Sequence, residues 1–310
     1  MTKPQAIAIV GPTAVGKSEV AQIVAETVSG EVVSIDAFQI YRGMDIGTAK
    51  VPEEERRVPH HLIDIASIEE EYSVALFQHR ARSVIDGLLE NDTIPVLAGG
   101  SGLYLDAVID EMNFPEGSLQ SSSRKRYEKL LEEKGISALF SELIKRDPGA
   151  TSLIEPHNTK RIIRALEMLD KGILYTEQHK GLKQHKPHYA ACIFALTMPR
   201  EELYSRINHR VDGMFENGLI DEVATLKKEG LSEGMTATQA IGYKEVCAYL
   251  EGVLSLEDAK EQTKIRSRHY AKRQLSWIAR DGRAVPIDMS DKTPECAAAS
   301  IVESYRDLNY

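Results

Sequence analysis

With 310 residues the chain is long enough to bury a large core and to form one or two domains. Its 42% hydrophobic and 27% charged residues are ordinary for a soluble globular protein, and no run of about 18 apolar residues marks a membrane span. A net charge of −9 argues weakly against nucleic acid as a partner, although a mean charge can hide a local patch, and three widely spaced cysteines (Cys192, Cys247 and Cys296) without CxxC or Cys/His spacing argue against a disulfide framework or a zinc site.

In chain order, QAIAIV (5–10) is a short apolar run that ends in a glycine-rich loop rather than a small-residue cleavage site, so it reads as a buried strand. The loop GPTAVGKS, comprising Gly11, Pro12, Thr13, Ala14, Val15, Gly16, Lys17 and Ser18, fits G-x-x-x-x-G-K-[ST] and leads into an amphipathic helix ending near Gly30. Its glycines let backbone N–H groups wrap an anionic oxygen cluster at a helix N-terminus. Lys17 adds a point charge and Ser18 a hydroxyl able to ligate Mg²⁺. The motif signals phosphate or pyrophosphate binding without specifying ATP. EVVSI (31–35) is a second strand closing on Asp36, residues 73–90 have a helical pattern, and IPVLA (94–98) is a third strand before Gly99-Gly100-Ser101-Gly102 and a helix. Strands alternating with helices predict an α/β, doubly wound parallel sheet, with the loops after residues 10, 35 and 98 meeting at its carboxyl edge. On residue chemistry alone Asp36 is equally a general base or a metal ligand.

Beyond about residue 113 the polar stretch MNFPEGSLQSSSRKR marks a boundary, followed by helical patterns to about residue 182 and a polar return, GLKQHKPHYA. YAACIFALT (189–197) is again a buried strand, residues 199–280 are mostly helical, and AVPID is a short strand before a final helix. The expected organisation is a discontinuous core (1–113 and 189–310) around a helical insertion (114–188). Between Lys264 and Arg283 the basic residues Lys264, Arg266, Arg268, Lys272, Arg273, Arg280 and Arg283 outnumber one acid, Asp281, which makes that stretch a candidate phosphate-backbone contact on an otherwise acidic protein.

DAFQIYRGMDIGTAK (36–50), PHHLIDI (59–65), GGSGLY (99–104), KRIIRALE (160–167), RINHRVDGMFENGLIDEV (206–223), QAIGYKE (239–245) and AKRQLSWIAR (271–280), in this order, resemble the bacterial tRNA dimethylallyltransferases, also called tRNA isopentenyltransferases. The resemblance implies a P-loop NTPase-like core with an inserted helical domain that clasps tRNA. It implies transfer of a dimethylallyl group from dimethylallyl pyrophosphate to N6 of the adenosine 3′ of the anticodon, with loss of pyrophosphate. It implies Asp36 as the base, Ser101 (Thr in many relatives) on the pyrophosphate, and an arginine clamp, Arg210 being preferred to Arg206. It implies base recognition by Asp36, Ala37 (Ser in many relatives), Phe38 and Gln39. Further RNA contacts are implied for Lys160, Arg161, Ile162, Ile163 and Arg164, for Gln239, Gly242 and Lys244, and for Lys272, Arg273 and Gln274. Trp277, the only tryptophan, stacks on a base or packs in the core, the latter being favoured. The expected cofactor is Mg²⁺ and the expected partners are the tRNA anticodon loop and dimethylallyl pyrophosphate, for a cytoplasmic monomer with no membrane contact. The alternative reading is a P-loop, ATP-dependent small-molecule kinase.

Overall fold

The computed structural model describes residues 4–115, 121–182, 184–232 and 236–308. By packing the chain divides into two units, residues 1–109 with 187–310 and residues 110–186. The turn-rich segment expected as a boundary falls partly on residues 116–120, and the polar return includes Lys183, both outside the described residues.

In the larger unit, six strands form one parallel sheet in the order β3-β2-β4-β1-β5-β6. They are β1 (Ala6–Val10), β2 (Gly30–Ser34), β3 (His60–His61), β4 (Ile94–Gly99), β5 (Ala191–Thr197) and β6 (Ala284–Asp288). The two-residue β3 has no sequence signal of its own and pairs only at the edge, Val32 opposite His60. Helices α1 (Lys17–Thr27), α2 (Val74–Glu90) and α3 (Gly102–Ile109) follow β1, β3 and β4 in turn. Alternation along β1 separates two cores: Ile7 and Ile9 pack with Val20, Val24 and Phe194, whereas Ala8 and Val10 pack with Val33, Phe77 and Leu97. A strand covered on both faces has no exposed position to fill with a polar residue, and AIAIV therefore reads as a continuous apolar run. Burying a side chain such as Phe77 or Leu97, both fully enclosed, stabilises the fold by about 1.5–3 kcal/mol each.

The smaller unit contains α4 (Ser122–Arg146), α5 (Thr159–Asp170) and α6 (Tyr175–Gly181). The α4 segment is two helices broken at Gly135, whose φ of 73° suits glycine. Tyr127, Leu139, Leu143, Ile162, Ile163 and Leu166 form its own core. In the larger unit the chain leaves and re-enters side by side: the His188 and Tyr189 amides both donate to the Ile109 carbonyl, at 2.8 and 3.2 Å.

Five more helices complete the larger unit: α7 (Arg200–Glu216), α8 (Leu219–Lys228), α9 (Tyr243–Leu250), α10 (Leu256–Ile278) and α11 (Pro294–Asp307). Among the described residues no helix is long and apolar enough to cross a membrane. Trp277 of α10 lies against the start of α3, donating from Nε1 to Asp106 Oδ2 at 2.9 Å. A Cβ on Gly102 would come within 2.2 Å of the Trp277 ring. Trp277 is thus a packing tryptophan that requires glycine opposite it. Gly102→Ala is expected to destabilise the protein by about 1–3 kcal/mol through overpacking, read as a lower urea midpoint at unchanged slope; an unchanged midpoint would mean that the ring moves aside freely.

Candidate functional site

The loops after β1, β2 and β4 meet at the carboxyl edge of the sheet, where side chains from α7 and α10 cover them. A backbone this close needs glycine: a Cβ on Gly99 would lie 2.0 Å from the Ile35 carbonyl oxygen. In the first loop Ala14 and Gly16 have φ of 66° and 102°, which turns the chain so that α1 begins at Lys17 with its N-terminal amides facing the loop. One loop amide is already used, since Thr13 N donates to Gln274 Oε1 at 2.8 Å. The Gln274 Nε2 donates to the Gly100 carbonyl at 3.0 Å. Gln274, expected against RNA, is 5% exposed and instead fastens the first loop to the third.

Asp36 follows β2. Its Oδ1 accepts from the Phe38 and Gln39 amides at 2.9 and 3.4 Å, which fixes the carboxylate by a turn of its own backbone. The Ser101 hydroxyl accepts from Ala37 N at 3.3 Å. Tyr270 hydrogen bonds Ser101 and Gln274, and burial beside Asp36 pushes its hydroxyl up to about 12. Asp36, Phe38, Thr13, Arg210, Gln239, Tyr270 and Arg273 line a cavity of about 230 Å³, together with Gly47 and Thr48. The Gln39 amide does not face that cavity freely: its Oε1 accepts from Ser34 Oγ at 2.9 Å and its Nε2 donates to the Thr48 carbonyl at 3.2 Å.

Two cations adjoin Asp36. Lys17 donates to the Pro12 carbonyl at 2.8 Å. Burial, then the neighbouring Arg210, lowers Lys17 to about 8, with Asp36 opposing them. Arg210 is likewise lowered by burial and supported by Asp36. Arg206, one turn earlier on α7, is exposed and paired with Glu202 at 2.8 Å. The structure therefore brings Arg210, and not Arg206, to the cavity with Asp36. Ser18 is exposed in the first turn of α1.

The remaining sequence candidates divide by burial. Lys244, Lys272 and Arg273 are exposed, Gln239 is exposed at the cavity, and Gly242 is buried at the start of α9 with φ 96°. In the smaller unit Lys160 and Arg161 are exposed, Ile162 and Ile163 are in the core, and Arg164 donates to the Pro115 carbonyl at 2.5 Å. Within the basic stretch, Lys264 pairs with Asp212, Arg266 with Glu245, Arg268 with Glu261 and Arg283 with Asp281. Among the described residues Lys272, Arg273 and Arg280 have no acidic partner. Residues Gly47, Thr48, Met214, Thr263 and Ser267 of the cavity wall carried no sequence signal beyond lying in or beside the recognised segments.

The model of the family described as IPP transferase matches residues 39–281. The chain belongs to the IPP transferase family. It is 47% identical to a tRNA dimethylallyltransferase of Carboxydothermus hydrogenoformans over 300 residues, 96% of each chain. It is 43% identical to that of Clavibacter sepedonicus, covering 92% of this chain and 94% of the other. The structure resembles the full-length tRNA isopentenylpyrophosphate transferase of Bacillus halodurans, at TM-score 0.72 and 41% identity over 99% of both chains. It also resembles a eukaryotic dimethylallyltransferase crystallised acting on tRNA, at TM-score 0.75 and 27% identity over 93% of this chain and 75% of that one.

A lowered lysine binds fewer protons folded than unfolded, so its burial costs stability most below pH 8, and that cost fades as pH rises from about 8 towards the unfolded value of 10.5. An NMR titration of lysine side chains should place Lys17 well below the surface lysines, near pH 8. A midpoint matching the surface lysines would mean that the Asp36 charge outweighs burial.

Proposed function

We propose that this chain transfers the dimethylallyl group of dimethylallyl pyrophosphate to N6 of the adenosine 3′-adjacent to the anticodon in tRNA, releasing pyrophosphate. The observation that carries this reading is one cavity lined by both Asp36 and Arg210, with the phosphate-loop Lys17 close enough to feel the charge of each. Transfer breaks the bond between the allylic carbon and the pyrophosphate oxygen and forms a bond from that carbon to N6. Negative charge gathers on the leaving oxygens, so fixed positive groups lower the barrier. Lys17 and Arg210 supply that charge, the amides of residues 14–18 add donors, and Ser101 extends the hydrogen bonding. An exocyclic amine must lose a proton as it is alkylated, and the Asp36 carboxylate accepts it.

The exposed Ser18 hydroxyl, an oxygen donor beside the phosphate loop, would help hold Mg²⁺, which would supply charge neutralisation for the leaving group. The base must leave its stack to reach Asp36. Phe38 gives the cavity an apolar wall for the extruded ring, and Gln239 lies at the same opening. Backbone phosphates are met by Lys244, Lys272 and Arg273, and by Lys160 and Arg161 of the helical unit, which clasps the tRNA. The protein works in the cytoplasm as a monomer.

The test is the reaction itself: protein, Mg²⁺, dimethylallyl pyrophosphate and unmodified tRNA, without ATP, should yield prenylated adenosine by mass and free pyrophosphate. Phosphate transfer that requires ATP would instead establish a kinase. In that assay Asp36→Ala should lower turnover by about 10²–10⁴ while tRNA affinity stays near wild type; equal loss of both would make Asp36 a binding residue. Arg210→Gln should weaken the enzyme far more than Arg206→Gln, because only Arg210 reaches the cavity. Equal effects would remove Arg210 from the clamp.

A further inference from the structure

Gly47 and Thr48 of the cavity wall belong to a turn, residues 44–48, with no regular ladder to hold it. Its amides are gathered instead by one side chain from α8. Glu222 accepts from Asp45 N at 3.0 Å and Ile46 N at 2.7 Å through Oε2, and from Gly47 N at 3.4 Å through Oε1. Three successive N–H groups aimed at one point form an anion-binding concavity, and here the anion is the protein's own carboxylate. Tyr243 of α9 donates to the same Oε1 at 2.6 Å. Its ring fills the space a side chain at position 47 would need, 2.3 Å from where a Cβ on Gly47 would stand. Tyr243 is fully buried, and burial and the Glu222 charge raise its hydroxyl pKa, which keeps it a donor.

We propose that Glu222, braced by Tyr243, is a positioning residue for the acceptor base. It holds Gly47 and Thr48 as a wall of the cavity and keeps the Thr48 carbonyl where it receives the Gln39 Nε2. The assignment rests on the prenyl-transfer reading for its substrate. Asp36 is anchored separately by Phe38 N, and the phosphate loop by Gln274, so loosening the wall affects the base and not the pyrophosphate.

The variants are Glu222→Gln, which turns one acceptor oxygen into a donor facing the amides, and Tyr243→Phe, which removes only the brace. Both should raise the KM for tRNA, Glu222→Gln by about tenfold or more, the size of one lost charge-assisted hydrogen bond, and Tyr243→Phe by less. The KM for dimethylallyl pyrophosphate should stay at the wild-type value. In parallel, hydrogen exchange in Glu222→Gln should speed up at the amides of 45–47 and not at Phe38. Equal rises in both KM values, unchanged kinetics, or unchanged exchange at 45–47 would overturn the assignment. If the wild-type protein prenylates no tRNA, the prenyl-transfer reading fails by itself, and the exchange pattern alone decides whether Glu222 holds the wall.

Discussion

Two cations side by side in a poorly solvated site repel each other, and burial adds to the cost of both. That is the condition of Lys17 and Arg210, each pushed down by burial, with Asp36 as the countercharge acting on both. One carboxylate cannot neutralise two cations. The free site therefore holds a net positive charge in a medium that disfavours it, a state that a polyanion relieves. For the proposed transfer, pyrophosphate binding and proton acceptance would then draw on the same arrangement: the carboxylate that makes Lys17 and Arg210 tolerable is also the proposed base.

The rest of the core keeps these three groups where they are. Lys17 is placed by the start of α1, Asp36 by the end of β2 and Arg210 by the middle of α7, so their meeting depends on the β2-β4-β1-β5 order of the sheet. The glycines at the carboxyl edge let the loops come within contact of one another, and Gln274 ties two of them together from α10. The basic stretch around α10 is less of an RNA surface than its composition suggests. Four of its seven cations are matched by acids in the folded chain, so the exposed positive charge narrows to Lys272, Arg273 and Arg280.

Much of this was legible in the sequence because its signals are local. The G-x-x-x-x-G-K-S loop lies within eight residues, the strands are continuous apolar runs, and Asp36 closes one of them; five of the six strands and their parallel sense follow from such patterns, whereas their order does not. Arg210, the preferred candidate of the two arginines, lines the cavity, whereas Arg206 pairs with Glu202. What stayed hidden depends on partners remote in the chain. Nothing near Gln274 indicates that its amide would be spent on Thr13, 261 residues away, nor does GLIDEV indicate that its glutamate would collect the amides of Asp45, Ile46 and Gly47. Ile162 and Ile163 lie in a segment chosen for its basic residues, yet they are the apolar face that its helix buries. The edge strand at His60–His61 is too short to carry a periodicity.

The backbone bonds from His188 and Tyr189 to Ile109 have a consequence for how this architecture can vary. They close the sheet-bearing unit at a seam one peptide wide, before any residue of the helical unit is counted. Because the entropy of closing a loop grows only with the logarithm of its length, the span between those residues can lengthen or shorten at small thermodynamic cost, while the seam still sets the register of β5. The helical unit is thereby free to change in length while the carboxyl edge of the sheet stays as it is.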